Sequence, residues 1–127
     1  MIARESVPGQ TAMMPGAIAA NGTVWTSGII SPSVLIGTPA SFTDQADQVL
    51  AELARTLEAI GSGLDRVVSL NVFLASANDF AAWNEAFVKA WPTNPPVRTT
   101  VVAVFMLDTV LVEVNAVATV QPFVGFP

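Results

Sequence analysis

Two charged residues interrupt the most apolar part of this chain in a way that could do chemistry. Arg98 stands at the mouth of "NPPVRTTVVAVF" (Asn94 to Phe105), and Glu113 lies inside "TVLVEVNAVATV". An arginine presents a planar fork of N–H donors that grips a carboxylate bidentately. A carboxylate nearby can position a water or take its proton. Asp108, the third charge of the region, falls in an expected turn and calls for no special role. A blander arrangement fits the same pattern. Glu113 and Asn115 would face water from a strand whose other face carries Val110, Val112, Val114 and Ala116, and Arg98 would cap a strand end.

The residue inventory narrows what else is possible. Among 127 residues there is no cysteine and no histidine, which removes thiolate chemistry, the commonest general base and the commonest metal ligand. Any catalysis falls to carboxylates, arginine, hydroxyls, amides, backbone groups and water. Five basic residues stand against ten acidic ones, for a net charge of −5. No Lys or Arg cluster is present to follow a nucleic-acid backbone. With 52% hydrophobic and only 12% charged residues, the chain struggles to cover its own surface, so burial against copies of itself is expected. The longest apolar region, Val101 to Val120, is broken by Asp108, Glu113 and Asn115 and makes a poor membrane span. Arg4 and Glu5 stand where a signal peptide would need an apolar run. A single cytoplasmic domain spanning 1–127 is the expectation.

Two helices and four main strands must position the charged pair. In "SFTDQADQVLAELARTLEAIGSG", Phe42, Ala46, Val49, Leu50, Leu53, Leu57 and Ile60 make one helical stripe. Ser41 with Asp44 resembles a capping box, and Gly61 and Gly63 stop the helix. The second helix, "SANDFAAWNEAFVKAW", starts at Ser76 with Asp79 in the matching place and ends before Pro92. Its stripe, Phe80, Trp83, Phe87 and Trp91 or Ala90, reads as core. Strands are expected at Thr23–Ile30, Arg66–Leu74, Arg98–Met106 and Thr109–Val120, with a weaker one near Ile2–Val7, and loops at Ser31–Ala40 and Pro92–Pro96. The last two strands are expected to form an antiparallel hairpin turning at Leu107 and Asp108. That hairpin would be apolar on both faces, whereas helices can cover only one. The fold class is then α+β with both helices on one sheet face, and the protein is not a monomer. In such a hairpin Arg98 would lie across from a position several residues beyond Glu113. A site using both would need bent strands, a ligand spanning the gap, or a second subunit.

Three segments in order resemble one family. "PPVRTTVVAVFMLDTVLVEVNAVA" is similar to the C-terminal signature of the Rid (YjgF-type) enamine/imine deaminases. "NDFAAWNEAF" resembles their "DFxxxNxxY" helix, and "VWTSGIISP" their "SGQxP" strand, so the likeness runs over about residues 15 to 120. The resemblance implies a chorismate-mutase-like α+β fold, a homotrimer and clefts between subunits that bind small carboxylates. It implies hydrolysis of 2-aminoacrylate-type enamines, through their imines, to 2-keto acids and ammonia. Arg98 would hold the substrate carboxylate and Glu113 the attacking water. Ser27, Gly28, Thr100 and Asn84 match positions that line the family's site. No cofactor or metal is called for, because an imine carbon is already electrophilic.

Several positions depart from the family pattern. The chain has no tyrosine, and Met14 stands where many members carry a pocket-closing one, with Gly16 near the family's glutamine. Ile29 replaces the glutamine of "SGQ", and Asn115 the second acid of "E-I-E". The pocket is expected to be more apolar and to suit a bulkier imine. Three readings stay open: a general enamine/imine deaminase, a non-catalytic carboxylate-binding trimer, and a pathway enzyme acting on a special enamine. Ribonuclease activity, also attached to this family, fits poorly with an acidic chain lacking histidine.

Overall fold

Ser41 opens the longer helix as its spacing predicts. In the computed structural model, which describes residues 5–6, 15–38 and 40–120, Ser41 is extended and its hydroxyl accepts the Asp44 amide at 3.4 Å. Helix α2 then runs Phe42–Glu58, after a four-residue helix α1 at Pro32–Leu35 in the segment expected to be loop. Ala46, Val49, Leu50, Leu53 and Leu57 are buried along one stripe. Gly61, at φ +86°, turns the chain away. Ser76 caps a single 3-10 turn, Ala77–Asp79, and helix α3 follows at Phe80–Ala90. Trp83, Phe87 and Trp91 are buried as expected, but Phe80 is 46% exposed. As the first residue of α3 it leans back over the 3-10 turn rather than into the core.

The strands are β1 (Glu5–Ser6), β2 (Ala17–Ala20), β3 (Thr23–Thr26), β4 (Ile29–Ile30), β5 (Val67–Leu74), β6 (Val97–Val102) and β7 (Val112–Thr119). Their order is β1-β2-β3-β7-β5-β6, with β4 also pairing with β7. Every pairing is antiparallel except β5 with β6. Strand β2 was not anticipated, although Asn21 and Gly22, at φ +52° and +79°, make the two-residue turn that "NG" signals. The expected strand near the N-terminus is represented by Glu5–Ser6; its remaining positions lie outside the described residues.

The expected hairpin between the last two strands does not exist. Strand β5 lies between them, parallel to β6 and antiparallel to β7. Helix α3 is the crossover that a parallel pair requires. Strand β6 therefore stops at Val102, and the chain leaves the sheet to pass from one side of β5 to the other. Beyond it Val104 and Met106 are fully exposed, as is much of Val97 and Val102. Apolar character on both faces thus belongs to β6 and its continuation. The face of the sheet away from the helices is mixed: Trp25 and Val101 lie beside Asn71, Asn115 and Glu113.

Both helices pack on the other face, where Leu53, Leu57 and Trp83 meet Val24, Leu70, Val72, Val112 and Val114. A fully buried polar side chain, Gln45, braces the start of α2. Gln45 of α2 donates to the Ala40 and Thr109 carbonyls at 3.0 and 3.1 Å and accepts the Leu111 amide at 3.1 Å. It ties the start of α2 to the segment feeding β7. Replacing Gln45 with Leu leaves three backbone groups without their partner, and we expect a loss of about 2–4 kcal/mol of stability, read by urea unfolding.

Candidate functional site

Glu113 sits where the sheet is irregular. Between the pairs Trp25–Val117 and Ile29–Val114, β3 and β4 contribute one residue more than β7. This bulge explains why the expected strand Thr23–Ile30 breaks at Ser27–Gly28. The Thr26 hydroxyl accepts the Ala116 amide at 3.0 Å. The bulge also resets the alternation, so Ile29 points into the core (7% exposed) and lines a helix-side cleft, not the Glu113 face. Ser27 is fixed from the other side, its amide donating to Gly16 O at 2.9 Å and its hydroxyl to Pro15 O at 2.6 Å. Gly28 is pressed against Glu113 so closely that a Cβ there would fall inside the carboxylate. Partial burial pushes the Glu113 carboxyl above its ordinary range, which makes its ionised form a stronger base. On the helix side of the same bulge lies a cleft of about 380 Å³, with Arg55, Glu52 and Thr56 above Ser27, Gly28 and Ile29. Its one cation is already paired: Arg55 binds Glu52.

Arg98 belongs to a second group of residues. It lies on β6 with Thr100, both pointing to the helix side by their pairing with the buried Leu70 and Val72. Arg98 Nη1 donates to Asn84 Oδ1 of α3 at 2.7 Å, and the guanidinium carbon stands 4.2 Å from the centre of the Phe87 ring. Arg98 remains solvent-exposed, so its outer N–H groups can receive a planar anion.

The residues expected to form one site thus fall into two groups. Ser27, Gly28 and Glu113 meet at the bulge; Arg98, Asn84 and Thr100 meet at the β6 edge; Met14 lies outside the described residues. Arg98 is level with Leu70, and Leu70 with Ala116, three residues beyond Glu113. Two strand spacings and that offset put Arg98 and Glu113 roughly 14 Å apart along the sheet. They also face opposite ways, because Glu113 pairs with Phe73 and Arg98 with Leu70, whose side chains point to different faces. Within one subunit the guanidinium and the carboxylate cannot share a small molecule. Two side chains escaped the sequence reading. The stripe reads Phe87 as core alone, although its place one turn from Asn84 links it to Arg98. Asn71 donates to Asn115 Oδ1 at 2.9 Å beside Glu113, a contact that only the β5–β7 register could reveal.

Comparison with known proteins places these groups in a wider setting. A family profile described as Endoribonuclease L-PSP matches residues 7–120. Protein HMF1 of Saccharomyces cerevisiae is 35% identical over 116 residues, covering 90% of this chain and 89% of that protein. A protein of Arabidopsis thaliana named Reactive Intermediate Deaminase A, chloroplastic, is 29% identical over 121 residues, covering 94% of this chain and 65% of its own. In structure, a member of the YjgF protein family from Neisseria meningitidis superposes with a TM-score of 0.84 at 24% identity, covering 95% of this chain and 98% of that one. That likeness concerns the fold.

Two outcomes follow from the bulge. Gly28→Ala must displace the Glu113 carboxylate, and we expect a cost of about 1–3 kcal/mol that largely disappears in Gly28→Ala/Glu113→Ala, measured by urea unfolding. A raised carboxyl pKa favours the folded state most while the group is protonated. The Glu113 contribution is therefore fully present below its unfolded value, about 4.3, and is lost as pH rises through the folded pKa. Unfolding curves across this range should show wild type losing stability relative to Glu113→Gln as pH increases.

Proposed function

The chain belongs to the Endoribonuclease L-PSP (YjgF/RidA) family, and on that premise we propose that it hydrolyses 2-imino acids, and the enamines that tautomerise to them, to 2-keto acids and ammonia. The observation that carries this reading is the division of the chain into two complementary groups that do not meet within it. One is a cation with free N–H donors; the other is a carboxylate with raised basicity. A ring of identical subunits in head-to-tail contact would bring the β6 edge of one against the bulge of the next. The exposed Val97, Val102, Val104 and Met106 supply an apolar surface for that contact. The proposed assembly is a homotrimer, as the family resemblance implies, with a small-carboxylate site in each of its clefts.

In the proposed reaction Arg98 takes the substrate carboxylate on its free N–H edge and so fixes the imine carbon. Glu113 of the neighbouring subunit accepts a proton from water as the water oxygen bonds to that carbon, and passes it to the nitrogen, giving a carbinolamine that carries a neutral amine. Glu113 then takes the carbinolamine hydroxyl proton and delivers it to the amine as the C–N bond breaks, so that ammonia leaves, the C=O of the keto acid forms and the carboxylate is restored. Ser27, Gly28 and Thr100 border the reacting atoms, and Asn84 steadies Arg98. Met14 in place of a polar family residue favours a bulkier apolar side chain on the substrate, whereas Ile29 points into the core and away from Glu113. A cytoplasmic location belongs to the same proposal, although the Arabidopsis relative is named as chloroplastic. RNA cleavage does not: the chain has no histidine and a net charge of −5.

The absence of any tyrosine favours a second reading, a trimer that grips carboxylates without turnover. Release of keto acid from freshly generated 2-iminopropionate and a bulkier apolar analogue separates the two. We expect wild type to accelerate release, Arg98→Ala to lose about 10–100-fold in kcat/KM, and Glu113→Ala about 100-fold or more in kcat, with the oligomer intact. Carboxylate binding that depends on Arg98, without acceleration of either imine, would leave the binding reading, or an enzyme specialised for another enamine.

A further inference from the structure

We propose that Phe87 is the positioning residue of the Arg98 anion grip, holding the guanidinium plane so that one edge stays free for a carboxylate. This rests on the functional reading above and specifies how its binding half is built. Arg98 is touched from two directions by α3. The Asn84 amide oxygen takes one Nη1 hydrogen at 2.7 Å, and the Phe87 ring lies 4.2 Å below the guanidinium carbon. Asn84 and Phe87 are three residues apart and share a helix face.

The ring is itself immobilised. Phe87 is 6% exposed and packs against Trp91 (centroids 5.0 Å apart) and Trp83 (6.4 Å). Trp91 is anchored in turn by its indole N–H, which donates to Leu64 O at 2.7 Å. An exposed arginine on an edge strand would otherwise sample many rotamers. Here the aromatic ladder of α3 fixes the plane, and Asn84 fixes the rotation within it.

The choice of partners matters as much as their geometry. Among the described residues no carboxylate lies within ion-pair distance of Arg98; the one ion pair is Arg55 with Glu52. An aromatic face and a neutral amide orient a guanidinium without cancelling its charge. An acid in either place would orient Arg98 equally well and compete with the substrate. Phe87 therefore does two jobs, filling the core with its edges and presenting one face to the cation.

The experiment is a double-mutant cycle read by calorimetric binding of pyruvate and by kinetics with 2-iminopropionate. We expect Phe87→Leu to weaken pyruvate binding about 3–10-fold and raise KM by a similar factor with kcat little changed, because the anion grip acts equally on ground and transition states. Phe87→Tyr, which keeps the ring, should bind like wild type. In an Arg98→Lys background, where the planar fork is gone, Phe87→Leu should change binding by less than about twofold. Circular dichroism and sedimentation confirm the fold of each variant, and Phe87→Met replaces Phe87→Leu should the latter not fold. Wild-type binding with an unchanged Phe87→Leu variant, or an equal loss in both backgrounds, overturns this inference alone. Absence of Arg98-dependent pyruvate binding in the wild type overturns the functional reading and this inference together.

Discussion

Strand β7 is the member on which the other strands are aligned, and its strict alternation governs the whole arrangement. Val112, Val114, Ala116 and Ala118 are buried against the helices, while Glu113 and Asn115 turn to the other face. The strand pairs with β3 and β4 on one side and β5 on the other. A slip by one residue would expose the four apolar side chains and drive a carboxylate and an amide into the core. With roughly 1.5–3 kcal/mol at stake for each large aliphatic side chain, that register is strongly specified. The parity then passes through β5 to β6. Glu113 must face away from the helices, and Arg98, paired through Leu70, must face toward them.

That constraint shapes what the chain can do. The same sheet that builds the carboxylate group and the guanidinium group holds them apart, so the chemistry in the proposed reaction belongs to a contact between subunits. The local irregularities lie where such a contact would need them. The bulge lays Gly28 on Glu113 and partly desolvates it; β6 ends early and releases an apolar segment to the surface. Both depart from ideal sheet geometry, and both lie beside residues proposed to touch substrate.

Much of this was legible in the sequence where periodicity and chemistry agreed. The cap at Ser41, the stripe of α2, the buried Trp83–Phe87–Trp91 row and the alternation of β5 and β7 follow directly from residue spacing. The hairpin expectation failed because short separation along the chain was taken for adjacency in the sheet. Strand, helix and strand at Val67–Leu74, Phe80–Ala90 and Val97–Val102 form a crossover unit, and that pattern outweighs the nearby turn. Strand β2 was missed although Asn21-Gly22 marks its turn, because Ala17–Ala20 carries little alternation. The bulge at Ser27–Gly28 had no clear signal, since one extra residue shows only in the register. Of the expected site residues, Asn84 lies against Arg98 and Gly28 against Glu113, while the two pairs do not join within the chain.

The claim that most needs a direct test is that Arg98 and Glu113 act together across a subunit boundary. Impaired Arg98→Ala subunits, which keep Glu113, can be unfolded, mixed with impaired Glu113→Ala subunits, which keep Arg98, and reassembled. If each site takes one residue from each of two neighbours, about a quarter of the interfaces in a random one-to-one mixture are intact. The mixture should then recover about a quarter of wild-type imine hydrolysis, while each variant reassembled alone stays at its own residual rate, about a tenth of wild type or less. A mixture as inactive as its components, with mixed oligomers demonstrated by mass spectrometry, would contradict the account.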